Sequence, residues 1–294
     1  MLAAEPLVEK SFEIWPGVLR FAAAGENAHA ALDAGMDMAR ELTLNLIADA
    51  DLIAKMGAAG SLDMLPRGAA GRMVPDAVRA LMQANGGASL ADVPPPLVAL
   101  PGAVCDATLA AMREAGGCPV IVVSLDDAAA FHIEGQVEGR TALAATHSAP
   151  LMLGEFLRAL GPGQGGVALA GLRGHFPTSG AADGVMVHAR SAAMAAFAAA
   201  FIADGTAAPS AHRKGRLADP LVASAFQGRR LTGEVGALPP DTIREALSGG
   251  VKRASALREK ALLRACVLAL RGRGRTLGPI DGDRLLRFGV SEWR

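Results

Sequence analysis

The sequence predicts an α+β fold: mixed sheets with a few long helices packed on them, in one compact unit. Three observations predict it. Two pairs of short apolar segments, Phe12–Ile14 with Val18–Phe21 and Val120–Val123 with Ala129–Ile133, are separated by turn residues and read as hairpins. The stretch from Glu26 to Met56 is dominated by Ala, Leu, Met and Glu, with Met38, Leu42 and Leu46 at helical spacing. The stretch Gly166–Asp204, GVALAGLRGHFPTSGAADGVMVHARSAAMAAFAAAFIAD, reads as strand, glycine-punctuated loop, second strand and alanine-rich helix. The rest of the chain is organised around it.

Taken in order, Trp15-Pro16-Gly17 supplies the first turn, and the long helix is expected to break near Asp49–Asp51. Gly57–Gly71 is a loop of small residues. A helix then starts at Pro75, whose missing N–H suits a first turn, and runs to Gln83. Asn85–Pro96 (NGGASLADVPPP) is a linker by composition, extended by its three prolines. Ala103–Ala115 is a helix ended by Gly116-Gly117, and Pro119 leads into the β-branched strand Val120–Val123. Asp126-Asp127 marks the turn to Ala129–Ile133, Glu134–Arg140 is an exposed loop or edge, and Leu151–Leu160 is a short helix. Beyond the central stretch, Ala207–Pro220 is a polar loop and Arg229–Val235 a final strand. A helix from Pro239-Pro240-Asp241 runs to Leu270 with a break at Gly249-Gly250. Residues 1–272 therefore read as one domain, with 85–96 as the one place for an internal boundary, and 273–294 as a loosely held polar tail.

Composition excludes several function classes. In 294 residues Lys+Arg and Asp+Glu both number 29, so no net charge draws the chain to nucleic acid or to an anionic membrane. Zero net charge also removes one guard against self-association, so a homo-oligomer, or pairing with a homologous subunit, is expected. Tyr is absent and aromatics are 4%, which leaves no base-stacking platform. Cys105, Cys118 and Cys266 form no CxxC and read as reduced, buried thiols. The N-terminus MLAAEPLVEKSFEIW carries early acids and no apolar core, and no run approaches ~18 apolar residues, so a cytoplasmic, non-membrane protein is expected.

Few constellations carry chemistry. In Gly171-Leu172-Arg173-Gly174-His175, followed by Pro177-Thr178-Ser179-Gly180, converging amides and the Arg173 guanidinium are of the type that cradles an anion. On that reading Arg173, Gly174 and Gly180 hold an anionic small molecule, Asp183 orients the loop, and His175 and Ser179 are the candidates for proton transfer. The plainer alternative is a structural turn in which Asp183 caps backbone amides and Arg173 is solvated. Asp126 and Asp127, adjacent at a hairpin tip, read as a solvated pair whose side chains diverge. The six histidines show no metal-ligand spacing, so no metal site is assigned, and His132 and His188 read as core or edge residues. Thr146-His147-Ser148 places a base beside a hydroxyl, and Arg271–Arg275 (RGRGR) reads as a solvated run.

The central stretch resembles the signature of the UPF0280 proteins, relatives of the ApbE-type flavin transferases. Gly166, Val167, Ala168, Gly171, Arg173, Gly174, Gly180, Ala182, Asp183, Val185, Val187 and Ala189 agree with it without gaps. Gly102-Ala103-Val104-Cys105-Asp106 through Met112, and the segment from Asp219 to Gly272, are similar as well. The resemblance implies an ApbE-like α+β fold.

It also implies what has changed. Leu169-Ala170 stands where the family carries Thr-Ser, and Ala196 and Ala200 stand where the flavin transferases carry the Asp and Thr that bind magnesium. Ser124-Leu125-Asp126-Asp127-Ala128 replaces an Asn-Asn-Gly-Gly-Asp turn. Magnesium needs oxygen ligands, and alanine has none. Two functions follow as expectations. One is an enzyme or enzyme subunit that binds an anionic, cofactor-like molecule at the 171–183 loop without the usual magnesium, its cofactor unassigned. The other is a non-catalytic stabilising or regulatory subunit that pairs with an active relative.

Overall fold

The computed structural model describes residues 7–134, 151–218 and 223–280. Eight strands form one sheet in the order β1 (Val8–Ile14), β2 (Gly17–Ala24), β3 (Val120–Leu125), β4 (Ala128–Ile133), β5 (Gly163–Ala170), β6 (Gly184–Ala189), β9 (Leu263–Leu270) and β10 (Arg273–Leu277). Every neighbouring pair is antiparallel. The turns β1–β2, β3–β4 and β9–β10 and the β5–β6 loop therefore all lie at one end of the sheet. A two-stranded ribbon, β7 (Arg213–Arg216) with β8 (Leu231–Val235), stands apart from it.

Both faces of the sheet are apolar, and alternation along the strands assigns each residue to one of them. Ile121, Val123 and Leu125 join the larger core on the side of α1 (Ala28–Ala59), α3 (Leu100–Gly116), α5 (Ala192–Asp204) and α6 (Pro240–Glu259). Val120, Val122, Phe131, Val167, Leu169, Met186 and Val267 face the other way, where Phe156 and Leu157 of α4 (Leu151–Leu160) cover them. The central β4, β5 and β6 are buried on both sides, which is why their sequence shows no polar alternation.

Helix α5 is apolar around its whole circumference because it is enclosed by β5, β6, α2 (Ala69–Ala84), α3 and α6. Its alanines allow close approach, and glycines on its neighbours complete the fit. A Cβ at Gly166 would lie 2.0 Å from the Ala192 nitrogen, and one at Gly102 would lie 2.2 Å from the Ala192 oxygen. The first turn is capped twice: Ser191 Oγ accepts from the Met194 amide, and the Asp106 carboxylate of α3 accepts from the Ala192 and Ala193 amides at 2.8 and 2.9 Å.

The structure departs from the sequence expectation in six places. Helix α1 runs unbroken through Asp49, which is 3% exposed. Its carboxylate accepts from the Arg67 and Gly68 amides at 2.8 and 2.7 Å and so anchors the entry to α2. Pro75 sits inside α2 rather than in its first turn, and the helix passes it because Val74, Ala77, Val78 and Leu81 are buried. Helix α6 continues through Gly249-Gly250. These glycines are packing residues: a Cβ at Gly249 would lie 2.4 Å from the Gly205 oxygen, and one at Gly250 2.4 Å from Leu268 Cδ2. Leu263–Leu270, expected as the end of that helix, is strand β9 between β6 and β10, and Arg273–Leu277 in the expected tail is β10. The expected 207–220 loop contains β7. Expectations for Glu134–Arg140 beyond residue 134, for Thr146-His147-Ser148 and for 281–294 lie outside the described residues.

Asp49→Ala is expected to lower unfolding free energy by about 1–2 kcal/mol, since two half-buried amides lose their acceptor. A urea denaturation midpoint unchanged from wild type would refute the anchoring role.

Candidate functional site

The β5–β6 loop starts at Gly171, whose φ of +112° a side chain would strain. From there the backbone is engaged nearly throughout. Leu172 and Arg173 donate to the Ala182 and Asp183 carbonyls at 3.0 and 3.1 Å, and Gly174 donates to the Gly171 carbonyl at 3.1 Å. The His175 amide donates to the Asp127 carboxylate, and the Ser179 amide and hydroxyl both donate to Asp204 Oδ1, at 2.7 and 2.9 Å. Thr206 Oγ1 accepts from Ala181 and Ala182 at 3.0 and 2.9 Å. The carboxylate of Asp183 accepts from the Arg271 amide at the β9–β10 turn.

The Gly174 amide and those of residues 172, 173, 175, 179, 181 and 182 thus bind acceptors of the chain itself, two of them carboxylates. Of the residues singled out for the loop, Arg173 is exposed and Gly174 packs against Ala170. A Cβ at Gly180 would lie 1.8 Å from the Ala203 oxygen, so Gly180 seats the loop on the end of α5. Ser179 faces Asp204, Asp183 holds the β9–β10 turn, and His175 alone among the six lines a cavity at this end of the sheet.

That cavity has a volume of about 20 Å³, room for little more than one water. Asp126, Asp127 and His175 supply its polar groups; Leu169, Ala170, Ala196 and Ala200 come from β5 and α5, and Phe176, Val98 and Pro101 contribute as well. Its walls therefore join the three segments at which the chain departs from the pattern it resembles. Leu169 borders the cavity while clustering with Met186 and Val267 on the opposite face of the sheet. Phe197 and Phe201 are buried in the core and do not line it.

Electrostatically the cavity is acidic. Asp126 adopts φ +49°, a left-handed turn conformation that Asp tolerates, and this brings both carboxylates of the Asp126-Asp127 pair toward the loop instead of letting them diverge. The expected solvated pair is in fact half-buried. Burial pushes the Asp127 carboxyl up to about 6, against the opposing pull of the His175 amide and ring. Burial also raises Asp126, with His175 opposing; His175 Nε2 lies 4.0 Å from Asp126 Oδ2, which accepts no hydrogen bond among the described residues. In the sequence the site is flagged by the adjacent acids at a hairpin tip and by the three segments that depart from the resembled pattern. Elsewhere, His132 contacts Glu134 at 3.1 Å, and His188 packs against Phe131 with its pKa pushed down to about 4 by burial, so it is neutral.

A magnesium ion does not fit these residues. The positions that the resemblance assigns to oxygen ligands on the buried helix present methyl groups, and Asp127 already holds the His175 amide. Among the described residues no group of three or more His, Cys, Asp or Glu side chains is arranged to hold an ion.

Fold and site together define a class: an α+β protein whose candidate cavity lies where a hairpin turn, a glycine loop and a buried alanine helix meet. The family model described as AbpE bacteria matches residues 21–276, and the chain belongs to that family, an ApbE-like one. The chain matches no curated protein. Among the described residues no helix is long and apolar enough to cross a membrane.

Proposed function

We propose that this chain is an ApbE-like protein of the UPF0280 group that has left magnesium-dependent flavin chemistry. On this reading it is a non-catalytic stabilising or regulatory subunit, pairing with a second copy or with a homologous active subunit. One observation carries the reading: Ala196 and Ala200, where the resemblance places the magnesium ligands, carry methyl groups and border, with Ala170, a cavity of about 20 Å³ that has no room for a nucleotide. Leu44 and Ile47, 81% and 69% exposed on the outer face of α1, offer apolar area for pairing.

A second reading keeps an enzyme. Asp127, titrating near neutrality beside His175 and Asp126, is a group of the kind used for proton transfer, and a small neutral or cationic ligand would suit an acidic cavity better than an anion does.

The test is thermal denaturation with FAD and Mg²⁺, separately and together, alongside a flavin-transfer assay. Wild type is expected to show no joint stabilisation and no transfer, whereas Ala196→Asp, which adds a third carboxylate beside Asp126 and Asp127, is expected to gain a Mg²⁺-dependent rise in Tm. Joint stabilisation of wild type by FAD and Mg²⁺, or transfer by it, would sink the non-catalytic reading. Light scattering of the purified chain tests pairing: a monomer at micromolar concentration leaves only the heteromeric form.

A further inference from the structure

A concentration of positive charge lies away from the 171–183 loop, on the β7–β8 ribbon. Strand β7 reads Arg213-Lys214-Gly215-Arg216, and Arg229-Arg230 immediately precede β8. The ribbon bulges between Lys214 and Gly215, and a cavity of about 410 Å³ opens there. All five cationic side chains line it, with Thr232, and among the described residues no acidic one does. In a chain of zero net charge such a grouping is a local feature and not a consequence of composition.

The five cations divide into two kinds. Arg213 and Arg229 are half-buried and fixed by the fold. Arg213 Nη1 donates to the Ser179 carbonyl and, at 3.3 Å, to Thr232 Oγ1, while its Nε is buried without a hydrogen-bond partner among the described residues. Arg229 Nη2 donates to the Val93 carbonyl at 2.7 Å, and Asp204 offsets part of its charge. Lys214 is paired with Glu234 at 2.8 Å. Arg216 and Arg230 are exposed at the mouth, and no carboxylate lies within ion-pair distance of either among the described residues.

We propose that this cavity binds a phosphate-bearing small molecule, a diphosphate or triphosphate. Arg216 and Arg230 grip its oxygens, and Arg213 and Arg229 supply a fixed positive floor. Guanidinium forks match phosphate oxygens two at a time, so several around one cavity favour adjacent phosphates over a single carboxylate. Its volume suits a small molecule, and among the described residues no aromatic ring lines it to stack bases of a nucleic-acid strand. The inference is independent of whether the Asp126–Asp127 cavity is catalytic.

Isothermal titration of the full chain with pyrophosphate, ADP, ATP and inorganic phosphate tests it, at low salt and again at 0.5 M-scale salt (roughly an order of magnitude beyond the low-salt arm, to screen the contacts). Pyrophosphate and the nucleotides are expected to bind more tightly than phosphate. Arg216→Ala/Arg230→Ala is expected to weaken them by about tenfold or more while leaving the ligand-free Tm unchanged, because both side chains are exposed. No binding by any of the four, or undiminished binding to the double variant, overturns the proposal. So does tighter binding of single-stranded RNA than of ATP, which would make the ribbon a polyanion surface. Loss on Arg173→Ala instead of on the ribbon variant would move the anion to the β5–β6 loop.

Discussion

Gly166→Ala is expected to leave little or no soluble folded protein. The added Cβ would stand 2.0 Å from the Ala192 nitrogen, 2.1 Å from its Cα and 2.3 Å from the Ser191 carbonyl carbon. All three are backbone atoms, so no side chain can rotate away. The start of α5 must move off β5, and the Asp106 and Ser191 caps go with it. Overpacking alone costs about 1–3 kcal/mol, and with the lost caps the total should exceed about 4 kcal/mol, a large part of a domain's net stability. Soluble yield and urea denaturation measure it. A variant within about 0.5 kcal/mol of wild type, inside the range of ordinary surface changes, would mean that α5 does not pack on β5 as described.

Asp106→Ala should be the next most damaging single change, and its effect should depend on pH. Two buried amides at the start of α5 lose their acceptor, worth about 2–4 kcal/mol together. Burial raises the Asp106 carboxyl from 3.8 to about 6, against the hydrogen bonds from Ala193, Ala192 and Ser191. The folded state therefore binds this proton more tightly than the unfolded chain does. Wild type is stabilised by that proton below about pH 4 and loses the benefit as pH rises to about 6. The loss is at most about 3 kcal/mol, from a shift of about 2.2 pKa units at 1.36 kcal/mol each. The gap between wild type and Asp106→Ala should be wide near pH 4.5 and narrow by pH 7. Asp126, Asp127, Asp183 and Asp204 are raised as well, but they are common to both proteins and cancel in the difference. A gap that stays constant, or widens toward neutral pH, would show that Asp106 is ionised throughout and caps as a charge.

Both predictions act on one joint, the first turn of α5, and that joint sets the geometry of the candidate cavity. Ala196 and Ala200 reach it only because Gly102 and Gly166 let the helix settle between α3 and β5. Small residues that look chemically idle therefore decide how large the site is. The same packing sets Ala196 and Ala200 beside the cavity, while five cationic side chains gather at the ribbon instead.

Some of this was legible beforehand. The β1–β2 and β3–β4 hairpins could be read because their turn residues, Trp15-Pro16-Gly17 and Asp126-Asp127, interrupt apolar runs. The strand–loop–strand–helix order of Gly166–Asp204 could be read from its glycines and its alanine run. Leu263–Leu270 could not, because a short, continuous apolar run has the same appearance in a buried strand and in a buried helix; its place between β6 and β10 makes it a strand. Gly249-Gly250 misled for a related reason, since a glycine that breaks an exposed helix is needed in one packed tightly against a neighbour.

The amino-acid order by itself determined what is local: turn chemistry, strand runs, the balance of charge, and the alanines that stand at 170, 196 and 200. Only the tertiary structure decided that those three alanines share one cavity with Asp126, Asp127 and His175, and that the loop's amides close on Asp127 and Asp204. The reason is that backbone conformation and residue type are properties of a few neighbours in the chain. A cavity, a buried carboxylate or a cluster of guanidinium groups exists only where segments far apart in sequence are forced together, and desolvation acts on them only there.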